Sequence, residues 1–178
     1  MSASTDHEAI VIKVWTDRGP IDVINYYNPC GKLNQDILEV VGGSSLDRVL
    51  WCGDFNSHNS LWGSNGTDAN GSVIEEFIDY HNLVCINSGE GTRYNSIQNT
   101  ESPLDLTFVS SVLAGISSWK VVRHTTVGSD HYPVRIKVGT RVCLDKGKKI
   151  PRWKLGSANW DSFEGIGANR LKAIREDN

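Results

Sequence analysis

No apolar segment of this 178-residue chain is long enough to cross a bilayer, which excludes a helical membrane protein. The opening residues, MSASTDHEAI, lack the basic start and apolar centre of a secretory signal, so the chain is expected to stay inside the cell. No C-x-x-C pair occurs. Cys30, Cys52, Cys85 and Cys143 are far apart and the two central ones sit in apolar runs, which suits small reduced core residues better than a zinc site or disulfide frame. Internal repeats and low-complexity tracts are also missing, so neither a solenoid nor a disordered array is expected. With 39% hydrophobic residues there is material for one ordinary core. Asn65-Gly66-Thr67 and Asn70-Gly71-Ser72 have the form of glycosylation acceptors, but without a signal for secretion they read as glycine-rich turns.

A basic surface over the body of the chain is lacking too. Residues 1–138 carry 9 Lys+Arg against 16 Asp+Glu, or −7, while residues 139–178 carry 9 against 5, or +4. The basic excess includes Lys146, Lys148, Lys149, Arg152 and Lys154, a run that either follows a phosphate backbone or is a solvated linker. An acidic body does not hold nucleic acid by charge alone. If it acts on phosphates, a cation is expected to mediate.

What is present is an alternation of strand and helix patterns. IVIKVW (Ile10 to Trp15) and IDVINYY (Ile21 to Tyr27) are β-branched and aromatic, and Asp17-Arg18-Gly19-Pro20 between them predicts a hairpin. Leu33, Ile37, Leu38 and Val41 recur at helical spacing before Gly42-Gly43. Val49 to Cys52 is a continuous apolar run, the pattern of a strand covered on both faces. Ser72 and Glu75 suggest a capping box for a second helix carrying Val73, Ile74, Phe77, Ile78 and His81. Further strands are predicted at Leu83 to Ile86, Leu104 to Val109, Trp119 to Arg123 and Tyr132 to Val138. Interleaved strands and helices predict an α/β sandwich over residues 1–139, followed by a linker over 140–178 with a short helix near Trp160 to Ile166.

Chemistry-bearing residues sit where these strands end. In WCGDFN, Asp54 and Asn56 lie two apart and project together while Phe55 turns inward. Such a pair can orient a water, hold a hard cation through oxygen or contact a phosphate; it can equally cap backbone groups in an ordinary turn. Asp105, in SPLDLTFVSS, lies within an apolar run, where an unpaired carboxylate would cost roughly several kcal/mol. His131, in GSDHYPV beside Asp130, offers it a partner. An Asp105–His131 hydrogen bond would fix the imidazole tautomer and favour its charged form. The plainer alternative, a His satisfied by its own turn, leaves Asp105 unexplained.

GDFN, LDLTFV and GSDHYP, in this order and at these intervals, resemble the second half of the endonuclease/exonuclease/phosphatase superfamily, whose fold is the two-sheet, DNase I-like α/β sandwich. The finer resemblance is to the endonuclease domain of non-LTR (LINE-type) retrotransposons. HNSLWGS after GDFN is similar to theirs, and PRWKLGSANWDSF resembles their connection to a reverse transcriptase. The resemblance covers the chain from Ile10 onward. It implies a magnesium-dependent endonuclease, with manganese as the alternative ion, that nicks target DNA in the nucleus or cytoplasm and has no membrane partner.

By that resemblance Tyr27, in YNP, contacts the scissile phosphate, although taken alone it is an aromatic at a strand end. Asp54 prepares the attacking water, Asn56 holds the phosphate, Asp105 supports His131, and His131 sits at the phosphoryl oxygen. Asp54, Asn56 and Asp130 are the metal ligands it implies. His58 and Trp62 take no catalytic role, and their loop is expected to be anchored near the DNA. The family's early Asn and its metal-binding Glu have no counterpart, since Glu8 stands in the wrong context. The chain is therefore expected to be the back half of a sandwich, with an uncovered sheet that favours self-association. A catalytically incomplete remnant that binds nucleic acid or a partner, and a phosphatase of the same superfamily, are the alternative readings.

Overall fold

The computed structural model describes residues 7–42, 46–124 and 128–143. The expected basic run, short helix and reverse-transcriptase connection lie outside the described residues. The elements are β1 (Glu8–Thr16), β2 (Gly19–Tyr27), α1 (Gln35–Gly42), β3 (Val49–Asp54), a single 3-10 turn (Ser60–Trp62), α2 (Ala69–Tyr80), β4 (Leu83–Cys85), β5 (Arg93–Asn95), β6 (Thr100–Ser102), β7 (Asp105–Ser110), α3 (Ser111–Ala114), β8 (Ser117–Val121) and β9 (Val134–Val138).

Five strands form the main sheet in the order β1-β2-β3-β7-β4, with β2 and β3 parallel and the other pairs antiparallel. The apolar run of β3 is central because it is buried on both sides. Trp51 joins Ile24 and Phe108 against α1 and α2, while Leu50 joins Ile21, Val109 and Leu113 beneath β8–β9. The architecture is mixed α/β, a sheet covered by α1 and α2 on one face and by a second, smaller sheet with α3 on the other.

Local chemistry moved three boundaries. Asp68 caps α2, its carboxylate accepting from the Gly71 amide, so Ser72 lies inside the first turn and its hydroxyl donates to the Asp68 carbonyl. A carboxylate at a helix start is favoured by the positive end of the dipole. Glu75 instead accepts from Asn59 Nδ2 at 2.7 Å. Thr140 to Cys143, expected as linker, pack on the β1–β2 turn through Asp17 N to Arg141 O and Cys143 N to Trp15 O. The β5–β6 hairpin has no alternating pattern. Its turn is built by Asn95 Oδ1, which accepts from Ile97 and Gln98 amides, and by Asn99 at φ 52.

One glycine decides where the site begins. Gly53 has φ 146, and any Cβ there would collide with the Tyr26 carbonyl, so β3 can approach β2 closely just before Asp54 only with glycine at this position.

Candidate active site

Strand register brings the sequence motifs together. Tyr27 pairs with Asp54 across β2–β3, and Asp54 pairs with Asp105 across β3–β7, so the three residues share one face at the ends of three neighbouring strands. Tyr26 and Phe55, each one residue away, are buried on the helix-covered face. Tyr27 is exposed. The Phe55 amide donates to the Leu104 carbonyl, which makes Asp54 and Asp105 a non-hydrogen-bonded pair, the closer-spaced kind. Two carboxylates directly opposite each other repel.

His131 lies against that pair. Its Nδ1–H donates to Asp105 Oδ2 at 2.8 Å, since a carboxylate can only accept, and its Nε2 is 3.9 Å from Asp54 Oδ2. The imidazole thus bridges the two carboxylates. The Asp105 backbone is clamped as well. Thr92 Oγ1, itself buried, accepts from the Leu104 and Asp105 amides, and Asn87 Nδ2 donates to the Asp105 carbonyl.

Asp54 is fixed by its neighbour two residues on. Oδ1 accepts from the Asn56 amide and Oδ2 from Asn56 Nδ2, both at 3.0 Å, with Asn56 in the left-handed region at φ 44. Asn56 Nδ2 also donates to the Asn28 carbonyl, and the fully buried Asn28 side chain ties the strand ends together through Gly31 and the Phe55 carbonyl. Burial pushes the Asp54 carboxyl above its ordinary value, and the facing Asp105 adds to the rise, while Asn56, His131 and Arg93 oppose it.

A measurable consequence follows for stability. A carboxyl raised on folding contributes stability that is complete below its unfolded value, near 3.8, and is lost as pH rises through its folded value. Ionised Asp54 therefore opposes folding at neutral pH. The stability of Asp54→Asn relative to the parent should rise between pH 3 and pH 7 in urea unfolding. A flat or falling difference would contradict the assignment.

The remaining expected residues are placed differently from one another. Asp130 is exposed and accepts from Arg93 Nε at 2.8 Å, which holds its carboxyl below the usual range. Trp62 does not reach solvent: it is buried against Phe108 and donates Nε1–H to the Ser57 carbonyl. His58 is exposed, with its amide on Asp68 Oδ2. Thr92, Asn87 and Arg93 carry no signal in the sequence, because each is a polar residue in a turn-rich stretch whose partner is distant. Only the Asn before a proline in YNP hints at a strand end.

Among the described residues, no three or more His, Cys, Asp or Glu side chains gather as a metal cluster. Magnesium, however, is commonly held by one or two carboxylates with water and substrate phosphate completing its shell. The half-buried Asp54 carboxylate, facing Asp105 across the strands, fits such an open, partly hydrated site rather than a closed protein cage, and the Asn56 side-chain atom that meets it is the Nδ2 donor.

A family model described as endonuclease-reverse transcriptase matches residues 21–135. No curated protein sequence matches the chain significantly. The endonuclease domain of TRAS1, a telomere-specific non-LTR retrotransposon, superimposes with a TM-score of 0.62 at 21% identity, over 76% of this chain and 67% of that one. The catalytic domain of Xenopus laevis APE2 gives 0.49 at 14% identity, over 75% of this chain and 55% of that one. A 3'-5' exonuclease from Neisseria meningitidis, NExo, gives 0.49 at 15%, over 75% and 71%. At these identities the likeness to the TRAS1 domain establishes the fold.

Proposed function

From the premise that this chain belongs to the endonuclease-reverse transcriptase family, we propose that it hydrolyses DNA phosphodiester bonds, nicking target DNA for retrotransposition inside the cell, in the nucleus or cytoplasm. The observation that carries this reading is the His131 imidazole between two half-buried carboxylates on paired strand ends.

In the proposed reaction a water oxygen bonds to phosphorus as the bond from phosphorus to the leaving oxygen breaks. Asp54 takes the proton of the attacking water, a role suited to a carboxyl whose proton affinity burial has raised. Asn56 keeps both Asp54 oxygens in place. His131, oriented by Asp105, presents Nε2 to the phosphoryl oxygen where charge develops. Tyr27, at the rim, donates its hydroxyl to the phosphate. Asp54, with Asn56 beside it, would hold the magnesium or manganese ion implied by the family, which when bound neutralises phosphate charge.

Nicking of supercoiled plasmid tests the reading. Magnesium should support it, and chelator or Asp54→Asn should abolish it. A folded chain that retains DNA in a salt-dependent, chelator-insensitive way without nicking would be the binding remnant instead. Turnover of a small soluble phosphoester but not of plasmid would favour the phosphatase.

We further propose that a second copy pairs along β1. Its outer edge presents exposed Ile10, Val11 and Ile12, and among the described residues the pairing of Thr16 with Val142 covers only its far end. A long apolar edge strand is a template for another strand. Sedimentation should show a concentration-dependent dimer that Ile12→Lys abolishes; a parent that stays monomeric would refute it.

A further inference from the structure

The acidic body of the chain faces an anionic substrate with few cations of its own, so the position of each one at the site matters. Arg93 is the first residue of β5, and it bridges to His131. The Tyr94 amide donates to the Asp130 carbonyl at 2.8 Å and the Tyr132 amide to the Thr92 carbonyl at 2.7 Å. These two bonds flank the 93/131 pair, which makes it non-hydrogen-bonded, with Cβ atoms about 4.5–5.5 Å apart and side chains on one face. Arg93 and His131 are therefore cross-strand neighbours.

The side chain is held but not used up. Asp130 Oδ2 takes the Nε–H, and no described residue accepts from the terminal Nη1 and Nη2. Those two nitrogens carry four of the five N–H donors of the planar guanidinium and can meet two phosphate oxygens end-on. The guanidinium charge also acts on Asp54 across the site. An exposed ion pair of this kind contributes only about 0–1 kcal/mol to folding, so stability does not account for it. Arg123, by comparison, is spent on Glu101 and Glu90 and lies over the Tyr132 ring.

We propose that Arg93 binds a substrate phosphate beside His131 and that Asp130 is its positioning residue. The inference rests on the nuclease reading, and it gives Asp130 a task that needs no metal. Two readouts on the full chain test it. One is the affinity for a duplex oligonucleotide by fluorescence anisotropy across a salt series, and the other is kcat/KM for plasmid nicking.

Arg93→Ala should lower kcat/KM about tenfold or more and make the slope of log affinity against log salt shallower by about one, as expected for loss of one phosphate contact. Arg93→Lys should keep the slope but recover only part of kcat/KM, because an ammonium lacks the fork. Asp130→Asn should keep the slope and raise KM. His131→Ala should lose nicking with the slope unchanged. If His131→Ala fails to affect nicking, the nuclease site is wrong; if it behaves as expected while Arg93→Ala leaves slope and kcat/KM intact, only the Arg93 assignment falls. A chain with no affinity for the duplex would overturn both.

Discussion

Nicking of supercoiled plasmid by His131→Ala is expected to fall about 10²–10⁴-fold, the range for a lost proton-transfer or oxyanion-stabilising group. His131 has two jobs in this geometry. In the proposed reaction it presents Nε2 toward the phosphate, and in the fold it lies between Asp54 and Asp105, which face each other across β3 and β7. Its removal deletes that contact and also the electrostatic influence of His131 that holds the Asp54 carboxyl down. Asp54 must be ionised to accept a proton, so the acid limb of any residual activity should move to higher pH in the variant. A pH–rate profile distinguishes this from simple misfolding, which would lower the amplitude and leave the limb in place. Activity within about twofold of the parent would mean that the reacting phosphate lies elsewhere.

Trp62→Ala is expected to destabilise the fold by about 3–5 kcal/mol, the usual cost of truncating a buried aromatic. The indole is 0% exposed, packs edge-on to Phe108 at 6.1 Å between ring centres, and has its N–H satisfied by the Ser57 carbonyl. Its deletion leaves a cavity below the loop that follows Asp54. Leu61→Ala, next door and 52% exposed, should change stability by no more than about 0.5 kcal/mol. Urea unfolding of the two variants makes the comparison. Unchanged stability with weakened DNA binding in Trp62→Ala would make the indole a DNA contact and refute its structural role. HNSLWGS thus acts on the site from beneath, through a buried anchor and the Asn59 side chain, which caps the 3-10 turn and reaches Glu75.

Much of this was legible from local pattern. The Val49–Cys52 run specifies a strand buried on both faces because any solvent-facing side would show polar alternation, and the helical stripe from Val73 to His81 specifies α2 because its spacing fits no strand. The order GDFN, LDLTFV, GSDHYP marked Asp54, Asp105 and His131, and the cost of an unpaired carboxylate pointed from Asp105 to His131 before any distance was known. The tertiary structure decided what local pattern cannot encode. Register set Asp54 opposite Asp105; a two-bond β-bridge put Arg93 beside His131; burial turned Trp62 inward; and Asp68, through its carboxylate, took the helix cap that Ser72 seemed suited to fill. Periodicity reports which face of an element is apolar, whereas the partner of a polar side chain in a turn-rich stretch depends on residues tens of positions away and exists only once the sheet has closed.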